Sequence, residues 1–364
     1  MTPSAGARPR ALLQTLGGPA VLLLILLLGP VLLSPQGIDN GSLCALYLIA
    51  GVGLHVLMGY TGQVSFGQGG FWAIGAYGVG ILTVKVGMPV LPAVLVAVLL
   101  TGLIAFLIGW PVVQLRGHYV AVATLALALI VVDLVNNLDT FTGGSAGLPG
   151  VPSVEVGGHP LVGAGFYRLC WVLALLVLVF TANVSRSRTG RAFRSVGADE
   201  SGSQALGVPS GAYRLRAFVF GAVLAGLGGA LYATYLGFLS ADAFSANLSA
   251  LFIIVIVVGG IRSPYGALVG AVAVTALTQW LNGLGSNPDL PARLVPALNS
   301  LFYGAMIFLV MRFRPEGLLP LLQGGVTRMR GLTSRGGGAG PTVEVAEQVG
   351  PEPEPMVAAP RREG

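Results

Sequence analysis

The chain has 364 residues, of which 54% are hydrophobic and only 9% are charged, and its formal net charge is +6. A soluble domain carries about 25% charged residues, because its surface must face water. The apolar residues here fall in long runs, which is the pattern expected where lipid replaces water as the outer solvent. The composition therefore excludes an ordinary soluble protein and predicts a membrane protein.

The predicted fold class is all-α, a polytopic transmembrane helical bundle of about ten spans within residues 19–323. A short cytoplasmic N-terminal segment, residues 1–18, is expected before it. Charged residues, Pro-Gly clusters and run lengths set the boundaries of the spans. In chain order, the predicted spans are Pro19–Ser34, Ser42–Tyr60, Gly67–Val84, Val90–Val112, Tyr119–Leu138, Phe166–Val184, Arg214–Leu236, Asn247–Gly260, Tyr265–Leu284 and Ala292–Met311. The glycines of the third span leave open whether it is a full span or a broken helix.

Basic residues cluster before the first span, between the sixth and seventh spans, and after the tenth. Even numbers of spans separate these clusters, so all three can face the cytoplasm, as the positive-inside rule expects. Three basic residues do not fit this scheme: Lys85, Arg168 and Arg293. The pattern predicts a multi-pass protein of the cytoplasmic (inner) membrane, embedded in membrane lipid, with both termini in the cytoplasm. Residues 324–364 combine Gly, Pro, Glu and Arg with few apolar residues, which predicts a disordered cytoplasmic tail.

Three polar residues, Thr61, Ser65 and Gln68, stand among glycines at the start of the third span. Unwound backbone at membrane depth is tolerated only where it is buried in protein or faces water. These residues either line a translocation path or belong to a packing surface in which Gln68 bonds a neighbouring helix. Thr124 and Asn136, both on the fifth span, are further candidates for the path.

The outer segment, residues 140–165, is rich in Gly and Pro and is longer than a tight turn requires. Its length predicts a functional or packed extracytoplasmic loop.

The polar segment between the sixth and seventh spans, residues 185–213, carries the strongest functional signal. Within it, Arg191–Ala198 and Ser201–Leu206 have the pattern of two short helices, the second ended by Gly207. Short helices along the membrane face would give a partner protein a rigid surface to contact. An ordinary positively charged loop would explain the arginines but not the sequence Gln204–Val208, so the residues alone leave both interpretations open.

Several kinds of chemistry are missing from the sequence. It contains no Gly-x-x-x-x-Gly-Lys-[Ser/Thr] phosphate-binding loop and no His-Glu-x-x-His metal motif. His55, His118 and His159 are far apart and share no ligand spacing, and Cys44 and Cys170 lie in apolar runs. We therefore expect no catalytic residue, no cofactor, no metal and no nucleic-acid partner, and the chain is not predicted to be an enzyme by itself.

Five segments, in the expected order, resemble the permeases of the branched-chain amino acid ABC importers, specifically the M-type partner of the H/M permease pair. The resemblance covers about residues 40–320. The five segments are the glycine-rich early motif Tyr60–Tyr77, the LRGxYxAxxTL stretch Leu115–Leu125, the NN…TGGxxGL pattern Asn136–Leu148, the coupling region Ser187–Phe218 and the FRPxGLL motif Arg312–Leu318.

The resemblance implies a type II permease fold, similar to that of the vitamin B12 importers, with the coupling loop between the sixth and seventh spans. It implies that an ATPase contacts six residues of that loop: Gly190, Arg191, Arg194, Ala205, Leu206 and Gly207. The sequence also departs from the family. Ala128-Leu129 stands where many relatives have Gly-Glu, and Val132 stands where an Arg is frequent, so no charged substrate contact can be transferred there.

The function implied is that of a membrane-spanning permease subunit that translocates branched-chain or other small amino acids. The implied partners are a second, H-type permease subunit, two ATP-binding subunits that hydrolyse ATP, and an extracytoplasmic substrate-binding protein. One alternative is a permease of the same family for urea or short amides. A stand-alone secondary transporter is a further alternative, but that class usually couples to ions through intramembrane charged residues, which are almost absent here.

Overall fold

The computed structural model describes residues 23, 25–30, 32–115, 117–285, 294–313 and 317–319. The predicted N-terminal segment 1–18 and the predicted tail 324–364 lie outside the described residues.

Helices make up most of the described chain. In chain order they are α1 (Pro35–His55), α2 (Gln68–Val84), α3 (Val90–Val112), α4 (His118–Asn137), α5 (Asp139–Thr142), α6 (Ala164–Arg186), α7 (Arg188–Ala198), α8 (Glu200–Ala205), α9 (Ser210–Leu236), α10 (Ala246–Gly259), α11 (Pro264–Gly285) and α12 (Leu294–Phe313). A π-helical turn, Val56–Tyr60, continues α1, and residues 25–30 are also helical. Helices therefore occupy the predicted positions of the second to tenth spans.

Among the described residues, seven segments are long and apolar enough to cross a membrane. They are Pro35–Tyr60, Val90–Val112, His118–Asn137, Ala164–Arg186, Ser210–Leu236, Ala241–Gly259 and Pro264–Gly283. The protein is thus a polytopic helical membrane protein.

The structure corrects one predicted boundary and shows whether the third predicted span is broken. Helix α1 begins at Pro35, seven positions before the predicted Ser42, because the Ser34 Oγ accepts a hydrogen bond from the Gly37 N–H at 3.3 Å and Pro35 occupies the first turn. Helix α2 is continuous over its 17 residues. The irregular backbone lies just before it, at residues 62–67.

Helices α1 and α9 form the centre of the bundle and are mostly buried. Helix α9 packs closely on α2 through glycines: a methyl group on Gly75 would overlap the Gly226 carbonyl, and one on Gly229 would overlap the Trp72 carbonyl. In lipid, close packing of small residues replaces the hydrophobic effect as the force that associates helices. Helix α3, by contrast, is mostly exposed and presents a row of leucines, including Leu95 and Leu99, outward.

The all-α prediction missed two small antiparallel sheets. Strand β1 (Leu148–Pro149) pairs with β4 (Phe238–Leu239), and β2 (Glu155–Val156) pairs with β3 (His159–Pro160). Each strand has only two residues, too few to show the alternation of polar and apolar residues by which a strand is recognised in sequence.

Candidate functional site

The bundle has two chemically different ends. We call the end that contains Tyr60, the last turn of α6 and the first turn of α9 the basic end, because it carries the arginines from Arg186 to Arg216. We call the opposite end, which contains β1 to β4, the strand end. Three carboxylates, Asp139, Glu155 and Asp242, lie in segments at the strand end.

At the basic end, the polar segment folds into two short helices, α7 and α8, which we call the α7–α8 hairpin. The Ser187 Oγ caps α7 by accepting a hydrogen bond from the Gly190 N–H at 3.3 Å. Phe193 is buried and meets the Tyr213 ring edge-on, with centroids 5.9 Å apart. The hydroxyls of Ser195 and Ser203 are hydrogen-bonded at 2.7 Å, which joins α7 to α8.

The hairpin is also fixed to the start of α9. Glu200 forms an ion pair with Arg214, and the Ser210 hydroxyl donates to the Glu200 Oε1 at 3.2 Å. The Gln204 Nε2 donates to the Ser210 Oγ at 2.6 Å. Because α7 follows α6 directly and α8 is bonded to α9, the hairpin is a firm connection between two membrane helices.

Five of the six predicted ATPase-contact residues are exposed on the hairpin: Arg191, Arg194, Ala205, Leu206 and Gly207. Leu206 is 83% exposed, although it is apolar. Gly207 has φ +79°, a left-handed conformation that ends α8 as predicted.

Gly190, the sixth predicted contact, is buried against the end of α6. A methyl group there would overlap the Val184 carbonyl oxygen and approach the Ser185 Cα at 2.6 Å. Nearby, the Arg191 Nη1 donates to the Arg186 carbonyl at 3.1 Å and the Arg194 Nη1 donates to the Ser185 carbonyl at 2.8 Å. These arginines satisfy carbonyls at the C-terminus of α6, which otherwise lack partners. Gly190 thus allows α7 to turn tightly against α6.

The glycine-rich motif begins next to the hairpin, where Thr61 lies against Gly197. The Thr61 Oγ1 donates to the Leu57 carbonyl at 2.6 Å, and the Ser65 Oγ accepts from the Gly67 N–H at 3.2 Å. The Thr124 Oγ1 accepts from the Phe66 N–H at 3.0 Å. All three side chains are buried, so residues 61–67 are held by hydrogen bonds instead of helical pairing.

Gln68 joins three helices. Its Nε2 donates to the Ala50 carbonyl of α1 at 3.1 Å and to the Gly221 carbonyl of α9 at 3.0 Å. This is the contact expected from the packing interpretation of Gln68. A role in a translocation path stays a prediction.

The structure brings four of the five path candidates together and leaves one apart. Thr61, Ser65, Gln68 and Thr124 share the region where α1, α2 and α4 meet. Asn136 is exposed twelve positions after Thr124 on α4, about 18 Å along the helix axis, toward the strand end. The sequence already implied this separation, because both residues were predicted on one helix and stand twelve positions apart.

Two polar residues of this region, Ser249 and Gln63, were not predicted from the sequence. The Ser249 Oγ of α10 accepts from the Gly69 N–H at 2.9 Å, which fixes the first turn of α2. The Gln63 side chain is buried, and neither its oxygen nor its nitrogen has a hydrogen-bond partner among the described residues. Nothing in the composition near Ser249 marks it, whereas Gln63 stood unselected inside the glycine-rich motif.

Four of the five motif segments meet at the basic end: the glycine-rich motif, the LRGxYxAxxTL stretch, the coupling region and the terminal motif. The LRGxYxAxxTL stretch contacts the glycine-rich motif where Thr124 accepts from the Phe66 N–H. In the terminal motif, the Leu318 N–H donates to the Val258 carbonyl at 2.9 Å. Residues 314–316 of that motif lie outside the described part of the chain. Within the described part, no group of three His, Cys, Asp or Glu residues is placed to hold a metal ion.

Comparison with known proteins finds relatives among transport permeases. The LivM permease protein of the high-affinity branched-chain amino acid transport system of Salmonella typhimurium is 29% identical over 324 residues, covering 82% of this chain and 74% of that protein. The LivH permease protein of the corresponding system in the same organism is 25% identical, covering 78% of this chain and 94% of that protein. LsrC, an autoinducer 2 import system permease protein of Escherichia coli O157:H7, is 28% identical, covering 70% and 73%.

No solved structure matches the chain. Residues 41–311, however, match the family model described as branched-chain amino acid transport system / permease component. That match spans most of the chain and confirms the resemblance seen in its motifs. The chain belongs to the family of branched-chain amino acid transport system permease components.

Proposed function

We propose that the chain is the membrane-spanning permease subunit of an ABC importer that moves branched-chain or other small amino acids across the cytoplasmic membrane. A separate ATPase would supply the energy. The α7–α8 hairpin is the observation that carries this proposal. It combines an exposed apolar residue, Leu206, with firm attachment to α6 and α9, and a partner that pushed on it would therefore move two membrane helices.

The proposed topology has ten spans in a type II permease fold. The seven long apolar segments, α2, α12 and the helix that contains residues 25–30 would be the ten. Helix α2 has 17 residues and is therefore about 25 Å long, close to the thickness of the hydrocarbon core. With the basic end in the cytoplasm, the hairpin faces the compartment that contains ATP, in agreement with the positive-inside rule.

The second, H-type permease would pack against α4. Helices α3 and α4 both expose large apolar side chains, which lipid accepts, but α4 also exposes Asp133, Asn136 and Asn137 near its end. Polar residues in membrane helices usually face protein or a water-filled cavity. A partner on this face would place Asn136 at the subunit boundary, where the translocation path would run toward Thr124, Gln68, Ser65 and Thr61.

An extracytoplasmic binding protein would deliver the substrate at the strand end. In such importers the binding protein dominates selectivity, and relatives in this family differ in cargo, since LsrC belongs to an autoinducer 2 import system. A stand-alone secondary transporter would not need the hairpin.

The proposal can be tested with the purified complex in lipid vesicles. We expect the two ATPase subunits to copurify with the chain, and leucine-loaded binding protein to stimulate ATP hydrolysis more than binding protein offered urea. Transport driven by an ion gradient in vesicles that lack the ATPase subunits would contradict the proposal.

A matched pair of variants tests the hairpin. Leu206→Ser should remove the ATPase subunits from the purified complex, whereas Val162→Ser should retain them. Val162 is likewise exposed and apolar, at 67%, but it lies at the strand end. Equal recovery of ATPase subunits with both variants would exclude Leu206 from the contact.

A further inference from the structure

The α7–α8 hairpin also contacts the membrane core at a point to which it is not covalently joined. Gly197, in the last turn of α7, lies against the backbone that ends α1. A methyl group on Gly197 would overlap the Tyr60 carbonyl oxygen and would lie 3.1 Å from the Thr61 carbonyl carbon. These neighbours are backbone atoms, which cannot rotate away as a side chain can. Only glycine permits this close approach.

One turn earlier, Arg194 makes a second contact with the same residue. Its guanidinium carbon lies 5.6 Å from the centroid of the Tyr60 ring, within the range of a cation–π interaction. The same guanidinium donates to the Ser185 carbonyl at the end of α6. On the other side, the Tyr60 ring meets His55 edge-on, with centroids 4.8 Å apart. Tyr60 is therefore held between the hairpin and α1.

The backbone at this contact is irregular. Val56–Tyr60 is a π-helical turn, and residues 62–67 after it are not helical. Single π-turns within α-helices are uncommon and occur frequently at functional sites. Gly59 of this turn abuts the Ile261 carbonyl in the link between α10 and α11. The turn is thus enclosed by α7 on one side and by that link on another.

We propose that Gly197, Arg194 and Tyr60 are positioning residues that pass the movement of the hairpin directly to the π-turn and to residues 61–67. This inference rests on the proposed function, in which an ATPase moves the hairpin. The contact adds a route beside the covalent one through α6 and α9. When the hairpin moves, the buried segment that contains Thr61 and Ser65 moves with it. Separating Gly197 from Tyr60 therefore uncouples ATP hydrolysis from transport while the complex stays assembled.

The test follows a single cysteine at Val64 in the assembled complex. Val64 is 43% exposed, whereas the native Cys44 and Cys170 are buried, so a water-soluble thiol reagent reports on position 64. In a Val64→Cys background, ATP should change the labelling rate by about 5-fold or more, the lower range of measured coupling between sites. Adding Gly197→Ala should abolish that change and lower transport per ATP hydrolysed, with the ATPase subunits still bound.

Gly211→Ala is the matched control, because Gly211 lies in the first turn of α9 and a methyl group there would meet no atom within 4 Å. It should leave labelling, hydrolysis and transport unchanged. If the ATPase subunits do not bind the unsubstituted chain, the proposed function fails and the inference fails with it. If they bind and Gly197→Ala responds to ATP as the unsubstituted chain does, the inference alone is overturned.

A second pair of variants decides the matter if Gly197→Ala does not fold. Tyr60→Phe keeps the ring that contacts Arg194 and His55, whereas Tyr60→Leu removes it. Tyr60→Phe should keep the response of position 64 to ATP, and Tyr60→Leu should lose it while hydrolysis continues. An unchanged response with Tyr60→Leu would overturn the inference.

Discussion

The two long connections of the protein, one at each end of the bundle, have opposite constructions. The strand-end connection, residues 138–163, contains seven glycines in the left-handed region: Gly143, Gly144, Gly147, Gly150, Gly157, Gly158 and Gly163. The basic-end connection, residues 187–209, contains one, Gly207. The first connection is therefore shaped by backbone turns and short strands, and the second by two helices held through side chains.

This difference corresponds to different mechanical tasks. At the strand end, β1 pairs with β4, and the Gly150 and Val151 N–H groups donate to the Gly237 carbonyl at 3.0 and 3.1 Å. Such backbone pairing fixes the connection onto the end of α9. At the basic end, the hairpin can move as one body, because its helices keep their own hydrogen bonds when it shifts. We infer that the strand end anchors the bundle while the basic end transmits movement.

The largest expected effect is that of Gly147→Ala. Gly147 has φ +78°, and a methyl group there would lie 2.5 Å from the Leu239 carbonyl oxygen and 2.7 Å from the Phe238 ring. With ψ 175°, this positive-φ backbone is extended and essentially restricted to glycine, so a residue with a Cβ costs about 1–3 kcal/mol there, and overpacking adds about 1–3 kcal/mol. We expect the β1–β4 pairing to break and most of the protein to be lost as aggregate, measured by size-exclusion chromatography in detergent.

Gly150→Ala is the control for that prediction. Gly150 has φ +82°, but a methyl group there would meet no atom within 4 Å. It should lower the free energy of unfolding only by the conformational cost, about 1–2 kcal/mol. Equal losses in the two variants would show that close packing on β4 is not what anchors this connection.

The positions of the long helices could be predicted from the sequence because apolar length alone determines them in a membrane. Helix α1 shows where this breaks down. Its seven additional N-terminal residues include Gln36, Asp39 and Asn40, and they are too polar for a boundary set by hydropathy to include them. A serine cap and a proline, which are local signals, begin the helix there.

The helices of the candidate site could be predicted from the sequence, but the contacts between distant residues could not. The two hairpin helices followed from local signals such as Gly207. The contact of Gly197 with Tyr60 joins residues far apart in the chain, and no local pattern reports it. Gln68 illustrates the same limit: both a path residue and a helix-bridging residue must be polar, and only the bonds to Ala50 and Gly221 reveal the bridge.

A smaller effect is expected when a glycine with positive φ is replaced by alanine at either end of the bundle. Gly207 and Gly150 have φ +79° and +82°, and a methyl group would meet no atom within 4 Å at either position. Gly207→Ala and Gly150→Ala should therefore cost similar stability, about 1–2 kcal/mol each. Only Gly207→Ala should weaken ATPase binding, because it reorients Leu206. Copurification measures this, and similar losses of ATPase from both variants would remove the functional distinction between the ends.

The smallest effect concerns the attachment of the hairpin to α9. Glu200→Gln removes the charge that pairs with Arg214 but keeps an oxygen that can accept from Ser210. Because both side chains are partly exposed, the pair should contribute only about 0.5–1 kcal/mol.

The melting temperature of the bundle should not change, since a small unit can open locally without global unfolding. Hydrogen exchange of the α8 amides should accelerate instead, and Arg214→Gln should add little in the double variant if the two residues act as one pair. A fall in the melting temperature would mean that the hairpin is part of the anchored bundle, and the contrast between the two ends would then be incorrect.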